Sequence, residues 1–422
     1  MTLTRPGGVL ALGGVPLDRA LERLRRLEPN SRAFYAYDLD ELLARARRLT
    51  EAFAPLRSVV AFALKANALP ALLGSLAGEG LAGDAASLGE LELSAAAGFP
   101  ASRRVLNGNG KTREEAEWAV CRGVHSVNAD SVAELDLLEQ AARAEGRRLR
   151  VALRVNPGID TAGHRYVATG IAEAKFGVSP TEALEAWAAR ARWPDLDLDG
   201  LHLHVGSQLL DPAPLEEAVG VALALRDESA RRGAPLSLVN LGGGFGVDYA
   251  GTGGEFPIET YAARLAERCA PLGLEWVTEP GRWLVAPIGV LVSEVLWVKP
   301  RDGRRFVVLA AGMNDLLRPA LYGARHRIEP VRPRAGAGSP ATVVGPVCES
   351  ADTFADSVEL PPLEPGDLVA IRDAGAYGAC MASNYNGRGR LAELVVMGGR
   401  LVRARAAETP ADLGRGTADP LD

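Results

Sequence analysis

Hydrophobic and polar positions follow a repeating pattern through the middle of the chain. Short runs rich in β-branched and apolar residues recur from residue 59 onward, and each is followed by a segment with helical spacing. The eight runs cover residues 59–66, 83–87, 103–108, 125–130, 148–157, 199–206, 236–244 and 275–281. This alternation predicts an α/β fold with a TIM-like (β/α)8 barrel. A doubly wound open sheet is the alternative.

Helix start signals support the alternation. Four of the segments between the runs begin with a Ser or Thr followed three residues later by Glu, which is the capping-box spacing. The four pairs are Ser87 and Glu90, Thr112 and Glu115, Ser131 and Glu134, and Ser179 and Glu182.

The pattern changes after residue 285. Two apolar runs surround Asp302-Gly303, which is a strong hairpin signal. Further strand-like runs at 367–378 and 391–405 predict an all-β C-terminal domain. We therefore predict a barrel over 33–284 and a β-domain over 285–405. Residues 1–32 are expected to pack on the β-domain, and the polar stretch 406–422 to be a mobile tail.

Composition narrows the class of protein. The 422 residues carry a formal net charge of −6, which gives no reason to expect nucleic acid or an anionic membrane as partner. No apolar stretch approaches the roughly 20 residues that span a bilayer, and no signal peptide is recognisable at the start. The four cysteines are widely spaced without a C-x-x-C pair, which favours reduced thiols in the cytoplasm.

A lysine stands at the end of the first run. In VVAFALKANALPAL (59–72) the residues of a buried strand lead directly into Lys65, with no acidic residue nearby. A buried ammonium group without a partner tends to lose its proton, and the neutral amine is a nucleophile that arginine cannot replace. Only four of the 47 basic residues are lysine. The alternative is a structural lysine whose amine reaches solvent.

Two later strand ends carry polar or glycine-rich motifs. The three glycines in LVNLGGGFGVDY (238–249) follow an apolar strand, where backbone N–H groups can approach a phosphate; a tight turn is the alternative. GLHLHVGSQL (200–209) places His202 and His204 on one face, with Ser207 beyond them. A zinc hydrolase is possible for this pair, but no other histidine has metal-ligand spacing, so we predict no metal.

The last run, EWVTEPGRWLV (275–285), supplies Glu279 and Arg282. As members of a surface loop they would be unremarkable. Facing a pyridine ring, however, a carboxylate keeps the ring nitrogen protonated, and arginine suits an anion. Because the carboxyl ends of barrel strands converge, these motifs together predict that Lys65 forms a Schiff base with pyridoxal phosphate.

The predicted β-domain holds a second group of candidates. These residues are Arg318, Tyr322, Cys348, Glu349 and Tyr377. Taken singly they are weak signals, because arginine is abundant in this chain and an isolated cysteine is more often a small buried hydrophobe.

Seven motifs, in order over about residues 30–400, resemble those of the fold-type III pyridoxal-phosphate-dependent amino-acid decarboxylases. They are AFALKAN, HLHVGSQL, LGGGFGVDY, EPGR, GMNDLLRPALYG, GPVCESAD and DAGAYGACMASNYNGR. HRYVATGIAEAKFGV (164–178) resembles a further family segment. The resemblance implies the two-domain architecture of alanine racemase and a homodimer with shared active sites.

The resemblance also implies roles for individual residues. Lys65, Cys348 and His204 would be catalytic, with Lys65 bonded to the cofactor, His204 stacked on its ring and Cys348 the proton donor. Cys348 and Glu349 would come from the partner subunit, and Asp84 would support His204. The cofactor would be bound by Lys65, Asp84, His204, Ser207, Gly242, Gly243, Gly244, Glu279, Gly281, Arg282 and Tyr377. The substrate would be bound by Arg282, Arg318, Tyr322, Glu349 and Tyr377.

The reaction that the resemblance implies is decarboxylation of meso-2,6-diaminopimelate to L-lysine and CO2. Arginines suit a second carboxylate, whereas ornithine or arginine would need an acidic pocket. One alternative is a related decarboxylase acting on a carrier-tethered amino acid or carboxynorspermidine. Others are an alanine racemase, which places arginine at the pyridine nitrogen, and a non-catalytic regulator, which would not need Lys65, Glu279 and Cys348.

Overall fold

The computed structural model of the chain describes residues 3–159, 175–301 and 304–415. These residues form two compact units. The first unit comprises Leu43–Val247 and Gly254–Trp283, and the second comprises Met1–Leu42, Asp248–Gly253 and Leu284–Asp422.

The chain begins with small elements of the second unit. Three short antiparallel strands come first: β1 (Leu3–Thr4), β2 (Ala11–Leu12) and β3 (Val15–Pro16). Helix α1 (Leu17–Arg25) buries Leu17, Ala20, Leu21 and Leu24, the face expected from helical spacing. Strand β4 (Ala33–Asp38) and helix α2 (Leu39–Phe53) follow.

Eight parallel strands form the barrel of the first unit. They are β5 (Ser58–Ala63), β6 (Ala82–Ala85), β7 (Arg104–Leu106), β8 (Ser126–Ala129), β9 (Leu149–Arg154), β10 (Leu196–His202), β11 (Leu238–Asn240) and β12 (Glu275–Thr278). Each overlaps one of the eight predicted runs. Strands β5 to β12 pair with one another in chain order, and the sheet closes on itself because β12 also pairs with β5. The barrel is confirmed, and the open-sheet alternative is excluded.

Helices connect the barrel strands. They are α3 (Pro70–Gly78), α4 (Leu88–Ala96), α5 (Arg113–Arg122), α6 (Val132–Ala144), α7 (Pro180–Ala188), α8 (Ala213–Arg231), α9 (Ile258–Cys269) and the short α10 (Arg282–Val285). All four predicted Ser and Thr caps are confirmed, because each hydroxyl accepts a hydrogen bond from the backbone N–H of its Glu. Every helix in the described residues is too short or too polar to cross a bilayer.

The second unit is mainly β-sheet. Its later elements are β13 (Gly289–Arg301), β14 (Arg304–Leu309), α11 (Arg318–Tyr322), β15 (Ile328–Pro330), β16 (Ser339–Val344), β17 (Thr353–Leu360), β18 (Leu368–Ile371), β19 (Ala392–Met397), β20 (Arg400–Arg405) and α12 (Pro410–Leu413). The main sheet has the order β17-β16-β14-β13-β4-β19-β20, and β15 and β18 join it at β13. The predicted hairpin is confirmed by antiparallel pairing of β13 with β14. Its turn residues, Asp302 and Gly303, lie outside the described residues.

Two predictions about this unit need correction. The barrel was expected to begin at residue 33, but β4 pairs with β13 and β19 and so belongs to the sheet of the second unit. The tail was expected to be mobile from residue 406. However, Glu408 donates its N–H to the Arg390 carbonyl at 2.9 Å, and Thr409 caps α12. Residues 416–422 lie outside the described residues, and the remaining domain boundaries stay a prediction.

Candidate active site

A ring of polar side chains lies at the carboxyl end of the barrel. Side chains alternate along a strand, so residues two positions apart share a face. The barrel interior contains an apolar layer that includes Val105, Leu238 and Val277, and the residue two positions beyond each of these is polar. One member of the ring lies on each strand or within two residues of its carboxyl end: Lys65, Asp84, Asn107, Asn128, Arg154, His202, Asn240 and Glu279.

Six of these side chains, all but Asn128 and Asn240, line a cavity of about 410 Å³. His204, Lys111, Glu115 and Phe176 contribute to its wall, together with the loop that follows β7. The volume falls within the range of sites for small molecules and cofactors. Of the strand-end groups whose convergence the sequence predicts, Lys65, His204 and Glu279 line this cavity, and Asp84 lines it with them.

Lys65 differs from its predicted setting. The sequence suggested a lysine inside a buried strand, but β5 ends at Ala63 and Lys65 occupies a 3-10 turn, Leu64–Ala66. This turn leaves Leu64 and Ala66 buried while Lys65 is exposed at the cavity. Lys65 is therefore accessible to a ligand, and the prediction that it is buried within a strand is wrong.

The carboxylate of Glu279 is deeply buried and heavily hydrogen-bonded. Its Oε1 accepts hydrogen bonds from Nδ2 of Asn107 at 2.8 Å, of Asn128 at 3.0 Å and of Asn240 at 2.6 Å. Its Oε2 lies 3.5 Å from Nε2 of His202. Burial alone would raise the pKa of Glu279, but the interaction with His202 and the hydrogen bond from Asn240 outweigh burial and hold the pKa well below its usual value. Glu279 is therefore ionised.

The pKa of Asp84 is shifted in the opposite direction to that of Glu279. Burial and the nearby charge of Glu279 raise the pKa of Asp84 well above its usual value. Its described hydrogen bond is accepted by Oδ1 from Nδ2 of Asn107 at 2.8 Å. The surroundings of the two carboxyl groups thus shift their pKa values in opposite directions. The sequence predicted that Asp84 supports His204, whereas the described bond links it to Asn107.

His204 is neutral and held by the glycine run. Burial and the charge of Lys65 lower the pKa of His204 well below its usual value. Its Nδ1 accepts a hydrogen bond from the Gly243 N–H at 3.2 Å, which leaves the ring proton on Nε2. The imidazole is fixed in orientation, as a ring that stacks on a ligand requires.

The glycine run approaches neighbouring backbone too closely to admit side chains. A β-carbon at Gly243 would collide with the carbonyl oxygen of Glu279, and one at Gly244, whose φ is +102°, with the carbonyl oxygen of Gly206. A glycine run that only formed a tight turn would not need to lie this close to the backbone of two other segments. Because no side chains intervene, the backbone of this loop can also approach a ligand phosphate.

The remaining predicted barrel residues lie at the ends of β10 and β12. Arg282, which begins α10, is buried and donates Nη2–H to Oγ of Ser207 at 3.0 Å. Gly281 is buried immediately before it. The guanidinium is thereby held against the loop that carries Ser207, and both groups can bind an anion.

The other predicted residues belong to the second unit. Arg318 is buried and donates Nη1–H to Nε2 of His326 at 2.7 Å, while its guanidinium carbon lies 4.4 Å from the centre of the Tyr249 ring. Nδ1 of His326 donates to the Arg372 carbonyl at 2.8 Å. The imidazole is therefore a neutral acceptor toward Arg318, and neither contact neutralises the arginine charge.

Cys348 and Glu349 are exposed on a loop with a defined anchor. The Cys348 N–H donates to Oδ1 of Asn386 at 2.7 Å, and the Val347 N–H donates to Oδ2 of Asp352 at 2.7 Å. An exposed thiol does not fit the alternative of a buried hydrophobe.

Two aromatic candidates of the second unit are half-buried. Tyr322 ends α11. Tyr377 has a φ of +56°, an unusual backbone conformation for a non-glycine residue and one that occurs preferentially at functional sites.

Comparison with known proteins identifies the family. A family model for "Pyridoxal-dependent decarboxylase, pyridoxal binding domain" matches residues 39–286. Diaminopimelate decarboxylase of Zymomonas mobilis is 40% identical over 385 residues, 90% of this chain and 91% of that protein. This chain belongs to the diaminopimelate decarboxylase family.

Solved structures agree with this assignment. The structure of diaminopimelate decarboxylase from Helicobacter pylori with L-lysine has a TM-score of 0.88 at 38% identity and covers 94% of this chain and 98% of that one. The M. jannaschii structure with L-lysine has a TM-score of 0.92 at 31% identity, with 99% and 98% coverage.

The site fits the cofactor of the diaminopimelate decarboxylase family, pyridoxal phosphate. A reachable amine and a buried carboxylate suited to a protonated ring nitrogen line one cavity, and a glycine loop suited to a phosphate is hydrogen-bonded to His204 in the wall of that cavity. These are three chemically different demands of the cofactor, and the barrel unit meets all of them.

Sequence reasoning missed five residues of the ring: Asn107, Asn128, Arg154, His202 as a neighbour of Glu279, and Asn240. Counting two positions beyond each inward apolar residue would have found Asn107, Arg154 and Asn240. That count depends on knowing which strand face points inward, and short fully buried strands do not reveal it. The segment 164–178, which contributed to the resemblance, lies largely outside the described residues.

The glycine cradle leads to a first prediction. Gly243→Ala should abolish pyridoxal phosphate binding, because the added methyl displaces the loop from the Glu279 carbonyl. Titration of the apo-protein with the cofactor, followed by fluorescence, measures this. Gly220→Ala is a matched control, since its β-carbon on α8 meets open space. Unchanged cofactor affinity in Gly243→Ala would contradict the cradle.

Proposed function

We propose that this protein decarboxylates meso-2,6-diaminopimelate to L-lysine and CO2 with pyridoxal phosphate as cofactor. The single observation that carries the proposal is that Lys65 and the buried Glu279 carboxylate line one cavity together with His204, which is hydrogen-bonded to the glycine loop. The relatives described above are named diaminopimelate decarboxylases, and two of their structures contain L-lysine.

Different residues of the barrel bind different parts of the cofactor. Lys65 would supply the amine that holds the cofactor in the absence of substrate. Glu279 holds the pyridine nitrogen protonated, and the neutral ring of His204 covers the cofactor. Ser207 and the backbone of Gly242, Gly243, Gly244 and Gly281, with Arg282, bind the phosphate; Asp84 and Tyr377 complete the binding set.

When bound, pyridoxal phosphate supplies a protonated pyridine ring that accepts the electron pair left by the departing CO2. Glu279 favours this role because an ionised carboxylate stabilises the ring charge. A racemase that places a cation at this position would weaken the electron sink. The substrate α-carbon then receives one proton, which we assign to the thiol of Cys348, so that one CO2 leaves for each proton taken up.

Selection of the substrate is assigned to a second set of residues. Arg282, Arg318 and Tyr322 bind the distal carboxylate, and Glu349 binds the distal amine, with Tyr377 beside them. Arg318 supports this assignment because His326 and Tyr249 contact its buried guanidinium and orient it. A carrier-tethered amino acid or carboxynorspermidine would present different groups to these residues.

We propose in addition that the active protein is a cytoplasmic homodimer in which Cys348 and Glu349 serve the site of the partner subunit. The exposed but anchored loop that carries both residues supports this arrangement, since an exposed thiol in one chain is available to another. Four widely spaced cysteines support a reducing compartment.

The reaction itself gives the first test. Purified protein incubated with pyridoxal phosphate and meso-2,6-diaminopimelate should form L-lysine, detected by chromatography. Lys65→Ala should form none and should lose the visible absorption band of the bound cofactor. A wild-type protein that shows this band but forms no lysine would retain the cofactor assignment and refute the substrate.

The distal pocket gives the second test. Arg318→Ala should raise KM for diaminopimelate by about ten- to hundredfold with a smaller change in kcat, because a charge-assisted hydrogen bond to a carboxylate is lost. Arg400→Ala, an exposed arginine on β20, is the control. Steady-state kinetics distinguish the outcomes, and an unchanged KM would remove Arg318 from the substrate site.

Subunit mixing gives the third test. Dimers formed from Lys65→Ala and Cys348→Ala chains should recover part of the activity that each variant lacks alone, because one of the two shared sites is then intact. Activity is measured after mixing, with the mass of the assembly determined by light scattering. A dimer without recovery would place Cys348 and Lys65 of the same chain in one site.

A further inference from the structure

Three amides converge on a single oxygen atom of Glu279. The Nδ2 atoms of Asn107, Asn128 and Asn240 lie 2.8, 3.0 and 2.6 Å from Oε1. A carboxylate oxygen offers about two lone-pair directions, so three donors fill its acceptor capacity. Any further donor that approaches Glu279 must therefore be received at Oε2.

Asn240 has a second contact. Its Oδ1 accepts a hydrogen bond from the Gly242 N–H at 2.9 Å while its Nδ2 donates to Glu279. The side chain is fully buried, so both hydrogen bonds form away from water. One residue thus joins the ionised carboxylate to the first residue of the glycine loop.

Asn107 lies between two carboxyl groups. Its Nδ2 donates to Oδ1 of Asp84 and to Oε1 of Glu279, at 2.8 Å in each case. Two neighbouring buried carboxyls do not both ionise without a large cost. Among the described residues, Glu279 has three amide donors and Asp84 one, and this asymmetry favours charge on Glu279.

Asn128 contributes only to the carboxylate. Its Nδ2 donates to Glu279, whereas its buried Oδ1 has no hydrogen-bond partner among the described residues. A buried amide with an unsatisfied oxygen costs stability. The hydrogen bond from the Asn128 N–H to the charged Glu279 carboxylate offsets this cost.

We propose that Asn107, Asn128 and Asn240 are positioning residues that hold Glu279 as a fixed, ionised carboxylate with Oε2 directed to the cofactor ring nitrogen. Asn240 additionally couples this carboxylate to the glycine loop. The inference rests on the cofactor and not on which amino acid is decarboxylated, so it stands or fails separately from the substrate.

The test compares two cofactors in binding to the apo-protein. One is pyridoxal phosphate, and the other is its 1-deaza analogue, in which carbon replaces the ring nitrogen. Asn128→Leu should raise the dissociation constant of pyridoxal phosphate about tenfold or more, the effect of one hydrogen bond to a charged group. It should leave the affinity for the analogue unchanged, because the analogue has no nitrogen for Glu279 to hold.

Asn240→Leu should weaken binding of both cofactors, because it also releases the Gly242 N–H. Ser126→Ala is the matched control, since Ser126 lies on the same face of β8 two residues before Asn128 and its described hydrogen bond is to His125. It should change neither dissociation constant.

Equal weakening of the two cofactors by Asn128→Leu would show that Asn128 is merely structural and would overturn the proposal, as would unchanged affinity for pyridoxal phosphate. Thermal unfolding of each apo-variant verifies folding. If Asn128→Leu does not fold, Asn128→Ser provides the same comparison, because its shorter side chain also removes the amide donor.

Discussion

The ionised carboxylate of Glu279 inside the barrel is the constraint on which the site depends. A charge removed from water is tolerated in a protein only when hydrogen bonds and opposite charges replace its hydration. Here amides from β8 and β11 and from the loop after β7 supply those hydrogen bonds. The barrel must therefore close with each strand in its observed register, because a shift of one residue would direct these amides away from the interior.

The same constraint extends to the backbone around the cavity. Asn240 connects Glu279 to Gly242, and the Gly243 N–H donates to His204, so the carboxylate, the glycine loop and the imidazole form one hydrogen-bonded set. Side chains larger than hydrogen are excluded from the loop by the carbonyl oxygens of Glu279 and Gly206. A rigid cavity of this kind can orient a cofactor with little loss of conformational entropy on binding.

The groups that contact Arg318 in the second unit differ in kind from those that contact Glu279. Around Glu279 every close donor stabilises a charge that stays within the protein. Around Arg318, by contrast, a neutral imidazole and an aromatic ring contact the guanidinium. An arginine oriented by such contacts suits a carboxylate, the group that we propose it binds.

Much of this protein was determined by local sequence. Eight strands and four helix caps were predictable because apolar periodicity and Ser or Thr capping act within a few residues. Lys65, His204, Glu279 and the glycine loop could be proposed because barrel strand ends converge. Tertiary structure decided the rest: β4 joins the second unit through pairing with strands more than 250 residues away, Lys65 is exposed by a 3-10 turn, and three asparagines meet on one oxygen. Asparagine carries no charge and occurs in any loop, so only closure of the barrel, which brings residues 107, 128, 240 and 279 together, reveals what these side chains do.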